Sequence, residues 1–234
     1  MTDAPLPVTI PDDLHRDRGK TLRAPVILKL LDLEMPDAVI ALDFANNWEL
    51  LIATVLSAQS TDVKVNEVTK GLFARWPGPE ELASADLPEI EVAIGSLGLF
   101  RNKSKNIQAT ARLLLERHGG EVPSTMAELI ALPGVARKTG NVVLSNGFGI
   151  HVGVVVDTHV QRLARRLGFT IEEDPKKVEP DLMRLFPQER WLDVSNLLIH
   201  HGRRTCDARR PRCEDCAIEP LCPSSQPAGR RDKR

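Results

Sequence analysis

An all-α fold is predicted for this 234-residue chain by three observations. Apolar residues recur at helical rather than alternating spacing along most of its length, capping signals open the periodic segments, and strand-like composition is confined to Val152–Val156. That run is too short and too isolated to build a sheet, so it reads as a buried extended connector.

The elements follow in order. Residues 1–20 are polar, rich in Pro and Asp and without periodicity, and read as a flexible arm. Pro25 suits the first turn of a helix bearing Val26, Ile27, Leu30 and Leu31, which Pro36 ends. Asn47 can cap a second helix with Leu51, Val55 and Ala58 on one face, and Asp62 can start a third with Val65, Val68 and Leu72 inward. Asp86-Leu87-Pro88-Glu89 has the form of a capping box leading to Ile90, Ala93 and Ile94. A stripe of Ile107, Ala111, Leu114 and Leu115 stops at Gly119-Gly120. Thr125–Glu128 is a second capping box, opening a short helix to Leu132. There Pro133-Gly134-Val135-Ala136 turns the chain into a new helix from about Arg137 to Asn146.

Composition excludes several classes. Gly and Pro number 15 and 17, well under the roughly 25–30% of low-complexity chains. No apolar run approaches the ~20 residues needed to span a bilayer, and the N-terminus lacks the basic and apolar regions of a signal peptide. A globular intracellular protein is expected. The net charge of −1 conceals an asymmetry: from Arg203 onward there are nine basic and five acidic residues, so the electropositive end is the C-terminal one. It finishes in Arg230-Arg231-Asp232-Lys233-Arg234, either a solvated tail or a strip that follows a polyanion. Aromatics at 4% argue against a binder that stacks successive single-stranded bases on exposed rings.

All four cysteines, Cys206, Cys213, Cys216 and Cys222, lie in one short segment with the spacing C-x6-C-x2-C-x5-C. Metal ligation is favoured over disulfides in a chain of this size with no export signal. Zinc sites usually present two short pairs. Here one short pair is flanked by longer gaps, which leans toward a loop wrapped around an iron–sulfur cube and leaves zinc as the alternative. Arg209, Arg210 and Arg212 lie between the first two cysteines, on a loop that ligands would pin at both ends. It is either a preorganised phosphate contact or a soluble surface.

The hairpin is the most informative local pattern. A glycine-bearing turn at the start of a helix exposes N–H groups at the positive end of a dipole, a place suited to phosphate. Arg137 and Lys138 nevertheless put two cations there, against a preference for anions of about 0.3–1 kcal/mol. Broken local rules point to function. Either both side chains grip phosphate, or the dipole and the neighbouring guanidinium favour Lys138 as a nucleophilic amine. Nineteen residues on, Asp157 stands at the mouth of a helix whose inward face is Val160, Leu163, Ala164 and Leu167, closed by Gly168. It is well placed as an N-cap, and a capping carboxylate is also a fixed one that can serve chemistry.

These segments together, Leu56-Ser57-Ala58-Gln59-Ser60-Thr61-Asp62, Leu132–Thr139, Val156-Asp157-Thr158-His159 and the four-cysteine pattern, resemble endonuclease III, the helix-hairpin-helix family of base-excision DNA glycosylases. The resemblance runs from about residue 21 to 223. It implies two helical domains with a cleft between them. One, residues 40–150, is a six-helix barrel holding the hairpin. The other, residues 21–39 and 151–223, is an iron–sulfur domain in which Cys206, Cys213, Cys216 and Cys222 hold a [4Fe–4S] cluster. The arm of residues 1–20 and the tail of residues 224–234 fall outside it.

The same resemblance implies the chemistry. Lys138 would attack C1′ of a deoxyribose carrying an oxidised pyrimidine, expel the base and leave an imine whose β-elimination nicks the strand. Asp157 would help deprotonate the amine and stabilise positive charge on the sugar. The nucleotide would be extruded from the duplex, with Gln59 and Leu99 filling the vacated space. Gly134, Val135, Ala136, Arg137 and His159 are expected among the DNA contacts. The partner is double-stranded DNA with oxidised pyrimidines or abasic sites, and a monomer is expected to process it, in the cytoplasm on bacterial nucleoid DNA or elsewhere inside a cell. One departure stands out: the family's hairpin usually reads Gly-x-Gly, but Ala136 replaces the second glycine, and Gly140 stands where Ala is common. If position 136 is left-handed, Ala costs about 1 kcal/mol.

Overall fold

A computed structural model of the chain describes residues 9–226. The arm's first eight residues and the basic run at the end of the tail lie outside them. Among the described residues there are eleven α-helices and no strand, and no helix is long and apolar enough to cross a membrane.

The chain divides into two compact units, one spanning Ile40–Val152 and the other built from the described residues up to Val39 with those from Gly153 onward. The first holds α2 (Asn47–Leu56), α3 (Asp62–Arg75), α4 (Pro79–Ser84), α5 (Leu87–Ala93), α6 (Phe100–His118), α7 (Met126–Ile130) and α8 (Arg137–Gly147). Its centre is α2, in which Trp48 and every residue from Leu50 to Leu56 are buried. A helix apolar all round belongs inside a bundle. The stripes of α3, α6 and α8 close on it through Val65, Leu72, Ile107, Ala111, Leu114, Val143 and Leu144.

The second unit holds α1 (Lys20–Glu34), α9 (Thr158–Arg166), α10 (Pro175–Leu185) and α11 (Trp191–Arg204), with short 3-10 turns around the cysteines. Its core joins Ile27 and Leu31 of α1 to Leu163, Phe169, Leu182 and Leu198. The Val152–Val156 run bends at Val152 and Gly153 and forms no strand, and residues 153–156 are buried.

Several boundaries depart from expectation. The first helix starts at Lys20, so Pro25 lies inside it rather than in its first turn. An interior proline costs about 3 kcal/mol; here the start of the helix is pinned by Arg23, whose buried guanidinium donates to Arg18 O, Leu167 O and Leu221 O at 2.7–2.9 Å. The second helix is capped by Asn46, one residue before the expected Asn47, whereas the third starts at Asp62 as expected, capped by Thr61. Asp86 occupies an N-cap position without a capping hydrogen bond, and its would-be partner Glu89 pairs with Arg75 at 2.6 Å instead. Residues 9–19 are not a free arm: Ile10 and Leu14 pack on the core of the second unit, and Arg16 pairs with Glu219 at 2.9 Å.

Candidate functional site

The hairpin forms where its capping box places it. Thr125 Oγ1 accepts from Glu128 N at 3.3 Å and opens α7. Gly134 then takes φ +78°, and an added Cβ would stand 2.9 Å from Asn106 Nδ2, so both backbone and space require glycine. Ala136 sits at φ −91°, ψ 169°, an extended conformation open to any residue. The feared cost of the missing second glycine therefore does not arise. At Gly140 a Cβ would come 2.7 Å from Met126 Sδ, so the glycine in place of the usual alanine makes room for that methionine. Arg137 and Lys138 are the first two residues of α8, both exposed, and no side chain caps the helix. Its first-turn N–H groups lie at the positive end of the dipole.

In the same unit, Gln59 and Leu99 are the two non-glycine residues with positive φ among those described, at 55° and 59°. Left-handed backbone costs an L-residue about 1–2 kcal/mol, and such strain concentrates at functional positions. Leu99 is 55% exposed despite being a large hydrophobe. The two turns abut, for a Cβ on Gly98 would lie 3.5 Å from Gln59 O.

In the other unit, Asp157 caps α9. Its Oδ1 accepts from His159 N and Val160 N, both at 2.8 Å. His159 is half-buried, with Nδ1 3.2 Å from Arg162 Nη2, and its ring packs so closely on α11 that a Cβ on Gly202 would meet Nδ1 at 2.9 Å. Burial lowers its pKa, opposed in part by the Asp157 charge. Its ring supports α9 from within, an arrangement the sequence pattern does not announce.

The four cysteines, all half-buried, line one cavity together with Leu163, His201 and Ile218. Among the described residues no three His, Cys, Asp or Glu side chains converge as they would on a single ion. Burial pushes the Cys216 thiol up to about 12 and raises that of Cys222, with neighbouring cysteines adding repulsion. A metal's positive charge would convert such thiols to thiolates. The set therefore fits a cluster with four cysteine ligands.

Two arginines of α9 fasten this loop. Arg162 Nη2 donates to Gly202 O and Cys206 O, each at 3.0 Å. Arg166 donates to Cys206 Sγ at 3.2 Å, to Asp207 O at 2.7 Å and to Ala208 O at 2.8 Å. Sequence reasoning missed both, because arginines on a helix read as ordinary solvated cations. Asp207 Oδ1 accepts from Arg209 N and Arg210 N, bonds that hold its carboxyl below the usual range. Arg209 and Arg210 are exposed, whereas the Arg212 guanidinium is tied back to Arg204 O.

Comparison with known proteins gives a consistent result. A family model described as HhH-GPD superfamily base excision DNA repair protein matches residues 52–188, more than half the chain. The chain is 51% identical to endonuclease III of Synechocystis sp. over 213 residues, covering 91% of this chain and 97% of that one. It is 42% identical to endonuclease III of Escherichia coli over 204 residues, covering 87% and 96%. Among solved structures it is similar to a trapped endonuclease III–DNA covalent intermediate, with TM-score 0.83, 42% identity and coverage of 87% and 96%. A thermostable thymine-DNA glycosylase shares the fold at TM-score 0.76 and 22% identity, covering 88% and 95%.

Proposed function

Because the chain belongs to the endonuclease III family, within the HhH-GPD superfamily of base excision DNA repair proteins, we propose that Lys138 and Asp157 carry out its reaction on duplex DNA holding an oxidised pyrimidine. The protein is a bifunctional DNA glycosylase and abasic-site lyase that binds DNA and acts in base excision repair. The observation that supports the assignment to Lys138 is its place as second residue of an uncapped helix after a hairpin turned by left-handed Gly134.

The Lys138 Nζ lone pair forms a bond to C1′ while the bond from C1′ to the base breaks and its electrons leave with the base. Asp157 takes the proton the amine must lose and offsets positive charge growing on the sugar. The C1′–O4′ bond then breaks, its electrons leaving with O4′, which takes up a proton as the sugar ring opens, and the nitrogen stays bonded to C1′ as a protonated imine that acidifies the C2′ proton. Loss of that proton expels the 3′ phosphate by β-elimination, a step that water acting as nucleophile could not supply.

The extruded nucleotide leaves a gap for Gln59 and Leu99, whose strained backbones present their side chains outward. Gly134, Ala136 and Arg137 offer N–H groups to a phosphate, while the Val135 N–H donates to Leu132 O at 3.1 Å and holds the turn in shape beside them; Arg209 and Arg210 offer guanidiniums to the DNA backbone. His159 contributes through α9 rather than by reaching the DNA. We take the protein to act as a monomer, inside the cell where DNA is found.

Cys206, Cys213, Cys216 and Cys222 would hold a [4Fe–4S] cluster, which supplies cross-linking of the segment that carries Arg209 and Arg210. Isolated protein is expected to contain iron and inorganic sulfide in equal amounts and to lose both together in Cys213→Ser. Zinc without sulfide in elemental analysis would refute the cluster.

A panel of duplexes tests the substrate. Base release and strand cleavage are expected from thymine glycol and other oxidised pyrimidines and from abasic sites, with undamaged duplex and 8-oxoguanine left intact. Preference for the oxidised purine would overturn the substrate assignment.

A further inference from the structure

We propose that Lys103 is a positioning residue, whose buried Nζ holds Gln59 and Leu99 as one rigid wedge through its bond to Ser60. The proposal rests on the glycosylase reading above and deepens it, because it names what keeps the gap-filling residues in their strained state.

Lys103 lies on α6, one turn after Leu99, and is only 4% exposed. Lysine is almost never buried without a partner, since desolvation penalises its charged form; here burial lowers its pKa. Its Nζ donates to Ser60 Oγ at 2.8 Å. Ser60 follows Gln59 directly, and its own N–H donates to Ser57 O at 3.0 Å, closing the turn in which Gln59 is left-handed. The backbone N–H of Lys103 meanwhile donates to Leu99 O at 3.0 Å. One residue thus reaches both strained turns, by its side chain and by its main chain.

The stripe continues along the same face of α6. Asn106 lies under Gly134, and Thr110 Oγ1 donates to Pro133 O at 3.1 Å. Positions 99, 103, 106 and 110 fall at helical spacing on one side of the rod. Strained conformations persist only where their surroundings over-determine them. Without the Lys103–Ser60 bond, Gln59 is free to relax toward negative φ and withdraw from the gap.

Lys103→Met, Ser60→Ala and the double variant test this. Three readouts are needed: base release from a thymine-glycol duplex, cleavage of an abasic site in a single-stranded oligonucleotide, and fluorescence of 2-aminopurine placed opposite the lesion. The single strand requires no wedge, whereas the fluorescence rises as stacking in the gap is disturbed. Each single variant is expected to slow base release about tenfold, as loss of a hydrogen bond to a charged group allows, and to blunt the fluorescence rise. Single-strand cleavage should stay within about twofold, and the double variant should be no worse than either single one, as for residues acting through one bond. Ser60→Ala removes only a hydroxyl, so it reports even where Lys103→Met fails to fold. Undiminished base release, equal losses on both substrates, or additive losses in the double variant would overturn the proposal. Failure of the wild-type protein on every substrate would instead overturn the glycosylase reading.

Discussion

Lys138→Gln is expected to abolish base release and strand cleavage together, by about 10³-fold or more, equivalent to at least about 4 kcal/mol of transition-state stabilisation. Both steps share one nitrogen, so both disappear when it does. Borohydride added during turnover of the wild-type protein should reduce the imine and leave protein covalently attached to DNA, and the variant should show no such adduct. The fold should not suffer. Lys138 is exposed on the second position of α8, glutamine has similar helix propensity, and substitutions of this kind usually stay within about 0.5 kcal/mol. The competing role is phosphate gripping alone. A residue that only grips would raise KM while leaving kcat near its wild-type value, because the lost contact is made equally in ground and transition states. Loss of kcat at saturating DNA, with one fewer cation weakening binding only modestly, separates the two.

Lys138 stands out in the sequence because it breaks a rule visible in one dimension. Two cations at the head of a helix oppose the dipole, and the preceding Pro133-Gly134 marks where that head must be. Asp157 was visible for the opposite reason: it obeys the capping rule so well that its orientation follows from position, and the structure shows the two N–H bonds that fix it. Helix faces were legible wherever apolar residues kept the 3.6 period. One cap position slipped by one where two competent residues stand side by side, at Asn46-Asn47. Local signals could not choose between the two asparagines.

What stayed hidden depends on tertiary contact. Nothing in the propensities of Gln59 or Leu99 predicts left-handed backbone, since glutamine and leucine rarely adopt it; only the closed structure, with the two turns pressed together at Gly98, imposes it. Lys103, Arg23, Arg162 and Arg166 read in sequence as ordinary solvated cations on helices. Each instead reaches a group distant along the chain: Ser60, Leu167 and Leu221, Gly202, or the Cys206 loop. The Asp86–Glu89 box shows the reverse error. A pattern sufficient for a cap lost its glutamate to Arg75 of another helix.

The second large effect belongs to Asp157, and the geometry allows its two roles to be separated. Both capping bonds go to Oδ1, which leaves the other oxygen for the reaction. Asparagine keeps an Oδ1 in the same place and caps a helix about as well as aspartate, whereas alanine loses about 1 kcal/mol at such a position. Asp157→Asn is therefore expected to melt close to the wild type and to bind duplex DNA with similar affinity, yet to release base about 10²–10³-fold more slowly, the range expected when one stabilising group at a developing charge is lost. Asp157→Ala should be as slow and also less stable in denaturant titration. If asparagine restores base release while alanine does not, the residue serves only as a cap. If instead both variants are slow and only alanine is unstable, the negative charge carries the chemistry and the cap merely aims it.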